Sequence, residues 1–520
     1  MKGFFMSRFS LKRSPILRDS LLITAVSLGL QLLSLLFNVF LSSRLGAANV
    51  GVVSLINSFF SFTSVVSCGN AYLCVSRLAS EELGAGGNPD RVLKSAMLFS
   101  VSLSCAAMLG IMSMADRISA LFLKNAVSSD TIKFFAAALP VIAICSCLKG
   151  YFNAFRSVSY TLVSDTAEFL VRGGTTALLV QLFVIRGAMT LLSAITAGIY
   201  AGLGVSLFIL LISKLTHRHE SFGKPKTGLR KYIISAIPVM LNSSIGMTLS
   251  IANDVLMPLT LKQYGSSGSA ALAEFGMFDA IILPVLFFPS SLVSSAGQLM
   301  VPEISRARGA EKLREVRRLT EKAIRFTLLI SVFAAGFFVC FGGEIGKMLS
   351  DERIVSVTIP VLAPIIPFIY LEIILEGIIK GMGRHAFSTM NYICEYIIRI
   401  SVLLICVPVL GFTGIIVSYV VSNSISNSSR LIFVCRKTGL SPKISEILII
   451  PLLCAASSCA IGKQLTYVIE SLWIKCAVFV LISGALYFFF YRSAMSTKKA
   501  FAERAKNRPS ERFHVHDIHM

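Results

Sequence analysis

"GYFNAFRSVSYTLVSDTAEFLVR", residues 150–172, falls without a gap on "GIIKGMGRHAFSTMNYICEYIIR", residues 377–399, when the chain is slid along itself by 227 positions. Gly150 then meets Gly377, Glu168 meets Glu395, and Arg172 meets Arg399. Phe169-Leu170-Val171 meets Tyr396-Ile397-Ile398, apolar against apolar. At nearly the same offset Val75-Ser76-Arg77 meets Ile304-Ser305-Arg306. Identities alone would be weak support. Their weight comes from where they fall, since each pair occupies the same place in a succession of apolar runs. The pattern predicts two copies of one unit.

Those runs decide the class. The chain has 520 residues, of which 55% are hydrophobic and 15% charged, with mean hydropathy +0.76. A soluble domain carries roughly 25% charged residues, so a soluble enzyme on a single anchor is excluded. Runs of about 20 apolar residues, each long enough to cross ~30 Å of hydrocarbon as a helix, recur to the end. They are continuous rather than alternating, which excludes a β-barrel. Fourteen spans are predicted, at 18–41, 50–76, 94–115, 132–150, 160–183, 188–213, 232–257, 275–301, 321–342, 356–380, 387–410, 411–435, 445–464 and 470–492. The expected fold is an all-α integral membrane protein. Copies six spans apart begin on the same side of the bilayer, so the repeats are parallel. Expected units are a first lobe (1–213), a basic linker (214–231), a second lobe (232–437), two further helices (438–492) and a basic tail (493–520).

With the N-terminus in the cytoplasm, 37 of the 49 lysines and arginines fall on the cytoplasmic side and ten outside. That asymmetry sets orientation and puts both termini inside. The net charge of +22 therefore points to topology and to the anionic inner leaflet rather than to nucleic acid. The basic start and long apolar run read as an uncleaved first span. "SRARGAEKLREVRRLTEK" (305–322) reads as a short amphipathic helix on the inner leaflet. The twelve cysteines are scattered, mostly inside apolar runs, and read as small apolar filler. "HVHDIH" near the C-terminus reads as a polar tail rather than a metal site.

Charges inside the spans are the candidate site. Glu168 and Arg172 stand four apart on one helix face, in the favourable order for an ion pair. They lie about 12 and 18 Å into a span that begins at Tyr160, near the midplane. A charge there costs about 2.5–3.5 kcal/mol on insertion scales, so both should face protein or a water-filled cavity. Glu395 and Arg399 repeat the pair. The pairs are either struts that each copy needs or the lining of a polar path, and both readings stay open. Asp165 adds an acid to the first copy where the second has Tyr392, giving charges of −1 and 0 over the two clusters. Asp254 and Asp279, near the outer ends of spans seven and eight, are either interfacial or cavity residues. Glu372, Glu376 and Lys380 form a stripe at four-residue spacing that reads as a ladder along one helix. Pro238, Pro284, Pro289, Pro360, Pro364 and Pro367, all in the second copy, interrupt spans and permit bending. No phosphate-binding glycine loop, HExxH or nucleophile motif is present, which disfavours an enzyme and an ATP-driven pump.

"LSSRLGAANVGVVSLINSFF", "VSRLASEELGAGGNPDRVLKSA", "CLKGYFNAFRSVSYTLVSDTAEFLVR" and "LEGIIKGMGRHAFSTMNYICEYIIR" resemble the stage V sporulation protein B type of polysaccharide biosynthesis protein. That type belongs to the multidrug/oligosaccharidyl-lipid/polysaccharide exporter superfamily. The resemblance runs from about residue 17 to 490. It implies two six-helix lobes forming a V, a bacterial plasma-membrane location, and a monomeric flippase for a polyprenyl-linked oligosaccharide or cell-wall precursor. It implies no cofactor, with H⁺, Na⁺ or the membrane potential as driving force. Lipid II flippases of the superfamily add two helices that form a groove for the polyprenyl tail, and spans 445–464 and 470–492 match that place. They also carry several arginines in the first lobe's cavity. Here "DSLLITAVSLGLQLLSLLFNVFL" has none, and Arg44 sits at its outer end, which implies another lipid-linked glycan or a cavity built differently. The alternative within the superfamily is a cation-coupled multidrug exporter. Asp165, Glu168, Arg172, Asp254, Asp279, Glu376, Glu395 and Arg399 are the expected substrate-binding or coupling residues, with no metal site.

Overall fold

A computed structural model describes residues 15–84, 87–121, 128–155, 157–185, 187, 190–216, 228–309, 311–441 and 445–506. Most of the basic linker and the histidines of the C-terminal tail lie outside the described residues. Among those described, all regular structure is helical. The first half comprises α1 (Pro15–Leu45), α2 (Ala47–Cys68), α3 (Ala71–Gly84), α4 (Pro89–Leu121), α5 (Ser129–Ala137), α6 (Leu139–Ala154), α7 (Val158–Leu179) and α8 (Leu191–Thr216). The second comprises α9 (Leu229–Tyr264), α10 (Gly268–Met277), α11 (Leu283–Phe287), α12 (Ser291–Gly309), α13 (Leu313–Leu349), α14 (Arg353–Leu362), α15 (Ile366–Gly381), α16 (His385–Leu410) and α17 (Phe412–Thr438). Two more helices follow, α18 (Ile450–Leu465) and α19 (Leu472–Lys506).

Thirteen helical stretches among the described residues are long and apolar enough to cross a membrane. The expected span at 411–435 is α17. It has the length, 27 residues, but its serines, asparagines and arginine take it below the apolar standard of the others. Gly411 separates it from α16 with φ of 59°, a left-handed value that favours glycine. The expected short helix at 305–322 is not formed. α12 runs on to Gly309, the chain turns at Glu311 with φ of 56°, and α13 starts at Leu313 as one helix of 37 residues.

The repeat is visible in how helices break and cross. In each half the second and fourth spans are broken. The first half breaks at Gly69-Asn70, between α2 and α3, and before Pro140, between α5 and α6. The second half breaks around Pro284 and Pro289 and around Pro364 and Pro367, with π- and 3₁₀-helical turns. Pro238, Pro258 and Pro408 stay inside continuous helices, so the second half concentrates its bends in two spans. Gly150 lies where α6 crosses α3, and a Cβ there would stand 2.6 Å from the Tyr72 carbonyl oxygen. Gly377 lies where α15 crosses α12, and its Cβ would run into the Gly297 carbonyl. The matched glycines thus serve one purpose, the close approach of two backbones. The matched serines tie the same crossings: Asn153 donates to Ser76 at 2.8 Å, and Ser305 donates to the Gly381 carbonyl at 2.9 Å.

One end of the bundle carries the start of α1, the end of α8 and the start of α9, and is called the basic end. At the opposite end a single apolar core joins both halves, from Leu41, Val53 and Ile56 to Phe275, Ile282 and Ile359. Toward the basic end this core divides. One part lies in the first half around Val75, Leu148 and Phe152 and includes Tyr232 at the start of α9. The other lies in the second half around Ile304, Ile374 and Ile378. The halves therefore share packing at the far end and diverge toward the basic end, where only the start of α9 stays packed on the first half among the described residues. At the far end α2 and α10 cross backbone to backbone: a Cβ on Gly51 would overlap the Leu272 carbonyl, and one on Gly276 would overlap Gly51. The α18–α19 pair packs on α13, through Phe333 stacked on Tyr487 and Phe341 against Phe479.

Candidate functional site

Each half buries a charged cluster at matched positions, and the two are wired differently. In the second half Arg430 on α17 is completely buried. Its guanidinium meets Glu372 at 3.2 Å, Glu376 at 3.1 Å and Glu395 at 3.0 Å, and also donates to Ser426 and Asn427. Glu395 makes the expected pair with Arg399 at 2.6 Å, while Arg399 donates to Ser422 at 2.9 Å and lies over the rings of Tyr396 and Tyr419. Glu376 also takes Lys380 at 3.3 Å, so the expected ladder holds at that step, whereas Glu372 turns across to Arg430. Three carboxylates and three cations balance. The network joins α15, α16 and α17, and most of its serines and asparagines come from α17, with Ser388 and Asn391 added by α16.

In the first half the expected pair between Glu168 and Arg172 is not formed. Lys149 on α6 takes Asp165 at 2.7 Å and Glu168 at 3.0 Å. The reason is the crossing of α6 over α7, which brings the lysine onto the face where Asp165 and Glu168 lie less than one turn apart. Gly198 and Gly202 let α8 press against Arg172 and Glu168 from the other side. Arg172 is left with its guanidinium 5.9 Å from the Phe169 ring and, among the described residues, without an ion pair. It lines a cavity of about 100 Å³ together with Lys149, Glu168, Ser64 and Ser146. Counting Lys149, this cluster is also neutral, which corrects the imbalance of −1 against 0 read from the sequence.

Asp254 and Asp279 come together at the junction of the halves, where Ser54 and Ser58, one turn apart on α2, face them. Ser58 donates to Asp254 at 2.8 Å, and Asp279 has Ser54 and Asp254 as its polar neighbours. Neither acid is at a helix end. α9 continues ten residues beyond Asp254 to Tyr264, which sets Asp254 about 15 Å deep. Asp279 sits on a π-helical turn, Phe278–Ile282, inside the broken eighth span. Both are therefore interior rather than interfacial residues. No group of three or more metal-type ligands occurs among the described residues.

Sequence reasoning missed Lys149 and Arg430, which are central to the two clusters. Both lie toward the cytoplasmic ends of predicted spans, among the 37 charges that set orientation. The signal for Lys149 was its place at the 227 offset, opposite Glu376. The signal for Arg430 was "SNSISNSSR" (422–430), a polar run that only a buried network accommodates inside a membrane-length helix.

With the geometry in place, comparison with known proteins gives concordant results. The profile of the family described as polysaccharide biosynthesis protein matches residues 16–308, and the MatE profile matches residues 238–405. The stage V sporulation protein B of Bacillus subtilis (strain 168) is 20% identical over 499 residues, covering 91% of this chain and 94% of that protein. Among solved structures, the lipid II flippase MurJ in an inward closed conformation superposes with TM-score 0.70 at 12% identity, over 91% of this chain and 100% of that one. A multidrug resistance MATE family transporter in an inward-facing conformation gives 0.65 at 13% identity, over 79% and 94%. At such identities these structures establish the fold.

Proposed function

The chain belongs to the polysaccharide biosynthesis protein family, and on that premise we propose that it is a flippase that carries a polyprenyl-linked oligosaccharide or cell-wall precursor from the inner to the outer leaflet. The observation that carries the proposal is the division of the core. Two halves packed together at one end and, apart from the start of α9, separate at the other form a cleft, and rigid-body rocking of two parallel repeats would move its opening across the bilayer. The basic end is the cytoplasmic one in this reading, with both termini inside, because the lysines and arginines concentrate there. The lobes are 1–213 and 232–437, joined by the linker 214–231, with a tail from 493, and the protein acts as a monomer. The helices within 438–492 form the wall along which a lipid tail stays in hydrocarbon. Withdrawing that tail would cost roughly 0.8 kcal/mol per CH₂.

The site residues divide by role. Arg172, with no carboxylate of its own, and Lys149 offer positive charge to an anionic headgroup in the first-half cavity. Asp165 and Glu168 hold Lys149 and release it as substrate passes. Asp254 and Asp279, at the seam, are the coupling candidates, for H⁺ or Na⁺. Glu376, Glu395 and Arg399, tied through Arg430, brace the second half. An inside-negative potential favours outward movement of an anionic head by about 2.3 kcal/mol per charge per 100 mV. The match of residues 238–405 to the MatE profile supports a second reading, a cation-coupled multidrug exporter. Reconstitution into vesicles separates the two: a flippase moves a polyprenyl-linked glycan between leaflets, and a drug exporter moves small cationic dyes instead.

A further inference from the structure

A groove of about 620 Å³ runs between α16 and α17 near the basic end, lined by Phe387, Ser424, Ser428, Ser429, Phe433 and Arg436 with two isoleucines. A second pocket of about 210 Å³ shares Phe387, Ile425 and Ser429 with it and continues inward to Glu395. The groove belongs to neither charged cluster, and its composition is odd for a surface turned to hydrocarbon. Ile425 and Ile432 are half exposed and apolar, as lipid contact requires. Ser424, Ser428 and Ser429 bring three hydroxyls to the same wall, and no protein partner is found for them among the described residues. Other serines of α17 behave differently: Ser418 and Ser422 donate to carbonyls of their own helix, and Ser426 donates to Glu395. Hydroxyls facing hydrocarbon are costly unless something accepts their bonds.

Arg436 closes one end of the groove. The ion pairs of α16 and α17 run through Arg399 and Arg430, and among the described residues none runs through Arg436. Ser429 and Arg436 are seven residues apart, on one face of the helix, and a helical side chain leans toward the N-terminus of its helix, here down the groove toward Ser429. The stacked rings of Phe387 and Phe433, with centroids 3.7 Å apart, stiffen the wall. From Ser424 to Arg436 the groove spans about 18 Å of helix, close to the depth of one leaflet, whose hydrocarbon is about 15 Å thick. From the mouth inward the wall presents an unpaired guanidinium, then Phe433 and Ile432, then the hydroxyls of Ser429 and Ser428, then Ile425, an order that suits a molecule with an anionic head, ester oxygens about two turns deeper and an apolar chain beyond.

We propose that this groove is a binding site for an anionic glycerophospholipid, with the phosphate on Arg436, the head-to-glycerol link against Ile432, the ester oxygens on Ser428 and Ser429, and an acyl chain along Ile425. Basic pockets between membrane helices recognise such headgroups elsewhere. The site is separate from the substrate cleft and does not depend on flippase activity. Because the inner pocket reaches Glu395, the bound lipid supports the Arg430 network from its outer side and stabilises the second half.

The test uses the purified full-length chain in bilayer discs made from phosphatidylcholine with or without phosphatidylglycerol of the same acyl chains. Lipids retained on the protein are counted by native mass spectrometry, and the thermal midpoint is measured in parallel. The wild type should retain phosphatidylglycerol about fivefold over phosphatidylcholine, the equivalent of ~1 kcal/mol for one basic residue at an anionic surface, and should unfold at higher temperature with it. Arg436→Gln should lose the preference. Lys437→Gln, at the adjacent residue that does not line the groove, should keep it. Ser428→Phe, which fills the channel, should lower retention of both lipids. Equal retention of the two lipids by the wild type would overturn the proposal. So would equal losses in Arg436→Gln and Lys437→Gln, which would mean diffuse surface charge. Displacement of phosphatidylglycerol by undecaprenyl phosphate that Ser428→Phe abolishes would assign the groove to the carrier lipid and also overturn it. None of these readings requires transport, so they stand or fall apart from the flippase assignment.

Discussion

Replacing Arg430 with methionine removes a buried cation from three carboxylates at 3.0–3.2 Å. The cluster then holds Glu372, Glu376 and Glu395 against Arg399 and Lys380, a net charge of −1, in a place where Arg430 was completely buried and Glu395 is 3% exposed. Stranding one side of a buried pair costs about 3–5 kcal/mol, most of it the penalty of the uncompensated charge rather than the worth of the lost bonds. The same reasoning fixes the rescue. Glu372→Gln in the Arg430→Met background restores neutrality and should recover much of the loss, although the bonds to Ser426 and Asn427 stay broken. The control is Arg172→Met, whose guanidinium has no ion pair to lose and whose removal should cost far less. The assay is loss of monodisperse folded protein with temperature in detergent, compared across the four chains. If Arg430→Met is as stable as Arg172→Met, or if Glu372→Gln makes the variant worse, the network is not an electrostatic brace and the reasoning fails.

In the first half, Lys149→Met should destabilise by less than the ~3–5 kcal/mol of a fully buried pair, because Asp165 is 43% exposed in its side chain. Arg172→Gln should leave the thermal midpoint within error of wild type while lowering transport, and equal midpoints for Lys149→Met and Arg172→Gln would remove the distinction between them. At the seam, Gly51→Ala places a methyl group into the Leu272 carbonyl. It should disfavour the far-end closure and raise thiol labelling of a cysteine introduced at Ile281, which is fully buried here; unchanged labelling would show that the crossing of α2 and α10 does not hold that end shut. For orientation, a cysteine placed at 222 should resist an impermeant thiol reagent in intact cells and react after lysis, and labelling in intact cells would invert the assignment.

Most of the architecture was legible because a bilayer leaves few options. Backbone groups in hydrocarbon must be satisfied internally, so apolar runs become helices. The 227 offset then exposed the repeat through Gly150 and Gly377, whose role at helix crossings is a constraint of space that survives when other side chains drift. The charged pairs were legible only in part. Four-residue spacing says which residues share a face of one helix, and it found Glu395–Arg399. It carries nothing about a neighbouring helix, which is why Lys149 took Glu168 from Arg172 and why the carboxylates that hold Arg430, on the two spans α15 and α16, are invisible from its own helix. Asp254 was placed too near the surface because α9 runs on past the apolar stretch, through Pro258, to Tyr264.

The central claim is tested most directly by reconstituting the purified protein into unilamellar vesicles with a fluorescent polyprenyl-pyrophosphate-linked oligosaccharide and measuring how much of it an impermeant quencher reaches over time. The account predicts protein-dependent exchange between leaflets that Arg172→Gln slows while the protein stays folded and incorporated. Lipid that remains in its original leaflet, in vesicles where the same protein expels a small cationic dye, would contradict it.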